Sequence, residues 1–122
     1  MTYFSGSATR QELSIRGDIQ TLVCDAIKRD PRKYFEMYWK VKGADREIGY
    51  CNRERGCWKK KSQLLKDKGI QVVSISSVKL SIKRILPQKT TGHTVTIVCE
   101  VHTTDNKFHI SEFKIAYSLE CK

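Results

Sequence analysis

No run in the 122-residue chain approaches the ~20 consecutive apolar residues that cross a bilayer as a helix. The opening MTYFSGSATRQEL has neither the charged start nor the apolar stretch of a secretory signal. On that reading the chain is cytoplasmic, or else a soluble domain cut from a membrane-anchored protein. Internal repeats and low-complexity linkers are absent too, which argues for one compact unit over residues 1–122. There is no glycine-rich phosphate loop and no recognised nucleic-acid signature. A disordered chain is excluded by the 39% hydrophobic content.

Acidic residues are scarce: 13 Asp and Glu stand against 23 Lys and Arg, a net charge of +10. Residues 1–50 carry nine basic and seven acidic side chains, residues 51–92 eleven and two, residues 93–122 three and four. The local balances are therefore +2, +9 and −1. A charge that merely solubilises would be spread over the chain, so a localised positive field is the better reading. Its partner would be acidic: nucleic acid, anionic lipid or an acidic protein surface.

Five cysteines, at 24, 51, 57, 99 and 121, cannot all pair within one chain, and without a secretory signal free thiols are expected. In an oxidising compartment a Cys51–Cys57 bridge would close a seven-residue loop, worth about 2.4 kcal/mol on a chain-entropy argument. A zinc site from Cys51, Cys57, Cys99 and His102 is disfavoured. The Cys-x5-Cys gap is too wide for a structural knuckle, and Cys99 and His102 fall on opposite faces of one strand. No metal or cofactor is expected.

The pattern of apolar residues predicts helices first and strands last. Thr9-Arg-Gln-Glu12 reads as a capping box, and Leu13, Ile15, Ile19, Leu22, Val23, Ala26 and Ile27 follow a helical recurrence over about 9–29. Asp30-Pro31 stops that helix and starts a second, rich in Tyr34, Phe35, Met37, Tyr38, Trp39 and Val41. A third runs from about Asn52 to Lys68, ended by Gly69. Ile70 to Ile75 and VKLSIKRIL read as one long strand with a bulge near Ser76-Ser77. Val95, Ile97, Cys99 and Val101 alternate in a second strand; Phe108 and Ile110, then Phe113, Ile115, Tyr117, Leu119 and Cys121, in a third. The expected class is α+β: two to three N-terminal helices packed on a bent antiparallel sheet of three or more strands.

This order of elements, with the step RDPRKY from Arg29 to Tyr34 and LLKDKG before the first strand, resembles the α+β cone of the nuclear transport factor two-like superfamily. The resemblance implies a funnel between sheet and helices, used by small-molecule isomerases and dehydratases, transport adaptors, and assembly domains of secretion and conjugation machines. None of the inward positions, from Val78 through Leu119, is a carboxylate or histidine, so proton-transfer chemistry has no residue to carry it.

The site expected instead is anion-binding, with Arg53, Arg55, Lys59, Lys60 and Lys66 neutralising phosphates. On a helix, Lys59 and Lys66 oppose an apolar stripe of Cys57, Trp58, Leu64 and Leu65, whereas Lys61 lies within the stripe and Lys68 at the helix end. Lys61 and Trp58 are thus candidates to line a pocket. The favoured function is a non-enzymatic binding module contacting nucleic acid. Two alternatives are a protein-interaction or self-associating domain of a larger assembly, and a basic ribonuclease or toxin using Glu100, His102 and His109.

Overall fold

The computed structural model describes residues 6–14, 19–29, 32–44, 47–60, 65, 70–84 and 93–117, with 6–14, Arg84, His93, Ala116 and Tyr117 described as backbone. Nine strands and one five-residue helix occupy these residues. They are β1 Gly6–Ser14, β2 Gln20–Val23, α1 Asp25–Arg29, β3 Tyr34–Val41, β4 Glu47–Asn52, β5 Gly56–Lys59, β6 Ile70–Ile75, β7 Lys79–Arg84, β8 His93–Thr103 and β9 Phe108–Tyr117. A six-stranded sheet runs in the order β1-β9-β8-β3-β4-β5, and a three-stranded sheet in the order β2-β7-β6. Every described pairing is antiparallel except β1 with β9, which is parallel.

The two sheets lie face to face, because each carries one apolar face that must leave water. From the larger sheet come Met37, Trp39, Val41, Ile48, Val95, Ile97, Val101, Phe113 and Ile115; from the smaller, Leu22, Ile70, Leu80 and Ile82. Full burial of each such side chain contributes roughly 1.5–3 kcal/mol. At the centre a Cys24–Cys99 disulfide joins the sheets. Trp39 lies beside it, opposite Cys99 in the β3–β8 register and fully buried. Its indole N–H donates to the Ser76 carbonyl oxygen at 2.9 Å, which satisfies the one polar atom of that ring.

This architecture overturns the α+β expectation, and the likeness to the nuclear transport factor two-like cone falls with it. The Thr9–Glu12 stretch is strand: β1 pairs with β9 from Gly6↔Phe108 to Ser14↔Ala116. Among the described residues of the first expected helix, only Asp25–Arg29 is helical. The second is β3, where Met37, Trp39 and Val41 point inward and Tyr38 and Lys40 outward. That alternation of period two was hidden because large rings occupy both faces. The third expected helix divides into the β4–β5 hairpin and, further on, a buried, helical Leu65. Asp30 and Pro31 lie outside the described residues.

Turn chemistry explains the hairpins. The Asn52 side-chain oxygen accepts from the backbone N–H of Glu54 at 2.9 Å and of Arg55 at 3.3 Å, and Gly56 takes φ +92° to re-enter β5. Between β6 and β7 the phase change is a reversal rather than a bulge: the Ser76 N–H donates to the Lys79 carbonyl at 2.8 Å. The β8–β9 hairpin closes through Thr103, whose N–H donates to the Lys107 carbonyl at 2.9 Å, with Asn106 at φ 62°.

Candidate functional site

The outer faces of the two sheets differ in kind. On the three-stranded sheet the outward residues are Thr21, Gln71, Val73, Ser74, Lys79, Ser81 and Lys83, and the Thr21 and Ser81 hydroxyls share a hydrogen bond of 3.2 Å. On the six-stranded sheet the outward residues include a row of five rings set among charged and polar side chains. Trp58 of β5 stacks on Tyr50 of β4 at 5.6 Å between ring centroids, and Tyr50 meets Tyr38 of β3 at 5.1 Å. Tyr38 meets the edge of His102 of β8 at 5.9 Å, and His102 stacks on Phe108 of β9 at 6.1 Å. Five rings on five adjacent strands thus form a ribbon about 19 Å long at ordinary strand spacing. Trp58 retains 44% of its surface in solvent.

The ribbon is held by a polar lattice rather than by packing from above. Glu36 accepts from both tyrosine hydroxyls, from Tyr50 at 3.0 Å and from Tyr38 at 3.2 Å, and the Asn52 amide donates to the Tyr50 oxygen at 3.2 Å. Glu100 bridges the other side: Lys40 pairs with it at 3.1 Å and His102 Nε2 at 2.7 Å, while the Lys40 ammonium stands 5.0 Å over the Tyr38 ring. Lys42–Glu112 and Lys60–Glu47 pairs, at 3.0 Å and 3.2 Å, lie on the same sheet.

Two titrations reflect this lattice. Burial, then the Glu36 carboxylate, push the Tyr38 phenol up to about 12. For Glu100 burial opposes ionisation, but the hydrogen bonds from His102 and Lys40 and the Lys40 charge outweigh it and hold the carboxyl below its ordinary 4.5. Such a face is pre-ordered, amphipathic and open.

The residues expected to bind an anion lie, where the structure describes them, along the β4–β5 hairpin. Arg53 and Arg55 sit in the β4–β5 turn, where the Arg53 N–H donates to the Phe35 carbonyl at 3.2 Å and its guanidinium to the Arg32 carbonyl. Lys59 ends β5 opposite Gly49, Lys60 is engaged with Glu47, and Trp58 belongs to the aromatic ribbon. Lys61 and Lys66 lie outside the described residues. Arg53, Arg55, Lys59 and Lys60 lie on or beside a β-hairpin rather than on and before a helix, and neither the fold nor its likeness to solved structures supports the nucleic-acid reading. The ribonuclease alternative loses its geometry. His102 faces outward beside Glu100, whereas His109 pairs with Val101 and faces the other way, so the two cannot flank one phosphodiester.

Free thiols were the expectation, yet four cysteines are paired: Cys24–Cys99 and Cys51–Cys57. Cys51, Cys57 and Cys99 are therefore all withdrawn from the ligand set once weighed for zinc. Among the described residues no group of three or more His, Cys, Asp or Glu is placed to hold a metal ion. Sequence reasoning missed Tyr50, Phe108, Glu36 and the role of Trp58. A signal for part of this was present, since Cys51-Asn-Arg-Glu-Arg-Gly-Cys57 is a hairpin turn flanked symmetrically by cysteines, with Tyr50 and Trp58 one step further out as a cross-strand pair.

No protein-family model matches the chain, and no curated protein matches its sequence. Solved structures do resemble it. The first immunoglobulin-like domain of human CD48 antigen superposes with a TM-score of 0.56 at 14% identity, over 96% of this chain and 87% of that domain. A 2,6-sialyltransferase of Photobacterium sp. JT-ISH-224 gives a TM-score of 0.50 at 6% identity, covering 97% of this chain but 19% of the enzyme, so the chain spans about a fifth of that protein. Murine CRIg superposes more loosely, with a TM-score of 0.44 at 17% identity over 92% of both chains. At 14% identity the likeness to the CD48 domain shows the fold alone: an immunoglobulin-like sandwich. The inter-sheet disulfide against a buried tryptophan, and the two strands β4 and β5 added beyond β3, agree with the variable-type version of that fold.

Proposed function

We propose that this chain is a protein-recognition domain that docks its partner on the outer face of the six-stranded sheet. The observation that carries the reading is the ribbon Trp58–Tyr50–Tyr38–His102–Phe108, which crosses five strands on the outward side. Tyr and Trp give large contact area for few rotatable bonds, and they dominate the residues whose truncation costs interfaces most. Glu36, Asn52 and Glu100 hold the rings in place beforehand, which reduces the ordering entropy that binding must overcome. The fold supports the same reading, since such sandwiches present stable sheets and loop clusters to other proteins. Two disulfides suit an oxidising compartment, which favours an extracellular or luminal setting over the cytoplasmic one. Among the described residues no helix is long and apolar enough to cross a membrane.

The test is a multivalent form of the chain screened against an array of purified cell-surface ectodomains. A specific hit should lose at least tenfold in affinity with Trp58→Ala or Tyr38→Ala and be unchanged with Lys79→Gln on the opposite sheet. Hits that ignore both ring substitutions, or that vanish on nuclease treatment, would refute the assignment.

A further inference from the structure

A second feature lies at one end of the sandwich, away from the ribbon's centre. Between α1 and the β8–β9 hairpin opens a half-enclosed cleft of about 340 Å³, lined by Ala26, Arg29, Lys33, Tyr34, Val101, Thr103, Asp105, Lys107 and His109. That is the small end of the range for ligand pockets, roughly 300–1,000 Å³. Its chemistry is divided. Ala26, Tyr34 and Val101 supply an apolar floor, while Arg29, Lys33 and Lys107 set three fixed positive charges against the single carboxylate of Asp105.

The walls are fixed by the backbone. The Thr104 N–H donates to the Lys33 carbonyl at 2.8 Å, which ties the hairpin to the segment entering β3. The Thr103 hydroxyl donates to the Asp105 carboxylate, and this bond, with lesser help from the charges of Lys107 and Lys33, holds that carboxyl below its ordinary value. Arg29 donates through Nε to the Asp25 carbonyl at 3.4 Å and lines the cleft with a planar guanidinium whose fork matches a carboxylate. On the far side of the same entering segment, the Arg53 N–H and guanidinium reach the carbonyls of Phe35 and Arg32. Basic side chains therefore continue past the cleft, with Phe35 exposed by 52% among them.

We infer that this cleft receives a glutamate or aspartate side chain from an acidic segment of a protein partner, its methylenes on the Ala26–Tyr34–Val101 floor and its carboxylate between Arg29 and Lys107. The inference rests on the protein-recognition reading for the nature of the partner, but on different residues. The form of the cleft favours a carboxylate side chain over nucleic acid. A single-stranded backbone follows a groove long enough for roughly 4–16 nucleotides, whereas this cleft takes one side chain, has an apolar floor, and carries an acid at its lip. A bidentate guanidinium–carboxylate pair also matches the planar fork of Arg29.

The test titrates a hexaglutamate peptide into the folded, oxidised chain at low salt, read by amide chemical shifts and by fluorescence anisotropy of the labelled peptide. Shifts should concentrate at Arg29, Lys33, Lys107 and His109. Arg29→Gln and Lys107→Gln should each weaken binding at least fivefold, and Asp105→Asn, which keeps an acceptor for Thr103 but removes the opposing charge, should tighten it two- to fivefold. Lys79→Gln removes the same charge from the opposite sheet and should change affinity less than twofold. Equal losses from Lys79→Gln and Arg29→Gln, no gain from Asp105→Asn, or tighter binding of a six-residue oligothymidylate through the same residues would each overturn the inference. Because none of these positions lies in the aromatic ribbon, failure here leaves the Trp58 and Tyr38 experiment to be decided separately.

Discussion

The two disulfides close loops of very different length, and that difference makes a quantitative prediction. Cys24 and Cys99 are 75 residues apart, Cys51 and Cys57 six. If a bridge stabilises mainly by lowering the entropy of the unfolded chain, the long loop is worth about 4.5 kcal/mol and the short one about 2.4 kcal/mol. Cys24 and Cys99 are also fully buried between the sheets beside Trp39, so removing their sulfur atoms leaves space that the core must refill, adding to the loss. In the short bridge only Cys51 is buried, whereas Cys57 is exposed at the sheet edge, where water fills the gap, so the added cost there is confined to one sulfur. The double substitution Cys24→Ala/Cys99→Ala should therefore cost at least about 4.5 kcal/mol, a large share of the roughly 5–15 kcal/mol that holds a domain folded. Cys51→Ala/Cys57→Ala should cost about half as much and leave the fold intact. Urea unfolding followed by far-ultraviolet circular dichroism measures both, with the slope expected to rise as the cross-link is lost. The reasoning fails if the short-loop variant is the less stable of the two, or if the long-loop variant loses under about 2 kcal/mol.

Three further outcomes follow from local geometry. A Cβ at Gly49 would overlap Ile75 Cδ1 and lie 3.0 Å from the Trp58 carbonyl oxygen, so Gly49→Ala should destabilise by about 1–3 kcal/mol in thermal unfolding. Adding Ile75→Val, which deletes that methyl, should recover part of the loss, and no recovery would contradict the contact. In a spectrophotometric titration near 295 nm the Tyr38 phenol should ionise close to 12, and Glu36→Gln should bring it down. Since the unfolded chain releases that proton near 10, stability present below pH 10 should fall between about 10 and 12; a curve flat over that window would count against the coupling. Glu100 has the opposite sign. Its folded carboxyl lies below the ordinary 4.5, so its contribution is present above that pH and is lost as acid protonates it, and Glu100→Gln should flatten the acid limb of the stability profile.

Strand periodicity was readable where one face is apolar and the other polar. The runs from Val95 to Val101 and from Phe113 to Ile115 announce β8 and β9, and their inward residues are the buried ones. In β3 the same periodicity was present but masked, because Tyr38 on the outer face is a large aromatic side chain like Trp39 on the inner. For β1 no local signal competed with a capping box, since its strand state depends on pairing with β9 about a hundred residues away. The basic middle third was a real excess of charge, but its interpretation assumed one helix. Asn52 and Gly56 turn the segment into a hairpin, with Arg53 and Arg55 in its turn and Lys59 at the end of β5.

By itself, the order of residues determined the alternating runs of the C-terminal strands, the positive charge of residues 51–92, and the presence of Cys24, Trp39 and Cys99 for an inter-sheet pin. Only the tertiary structure decided that those cysteines pair, that His102 and His109 point to opposite faces, and that five rings from five strands line up as one ribbon. The reason is physical. Alternation and net charge are local quantities, whereas a disulfide partner or a row of stacked rings depends on the register between strands distant in sequence, and that register is set by the packing of the whole sandwich.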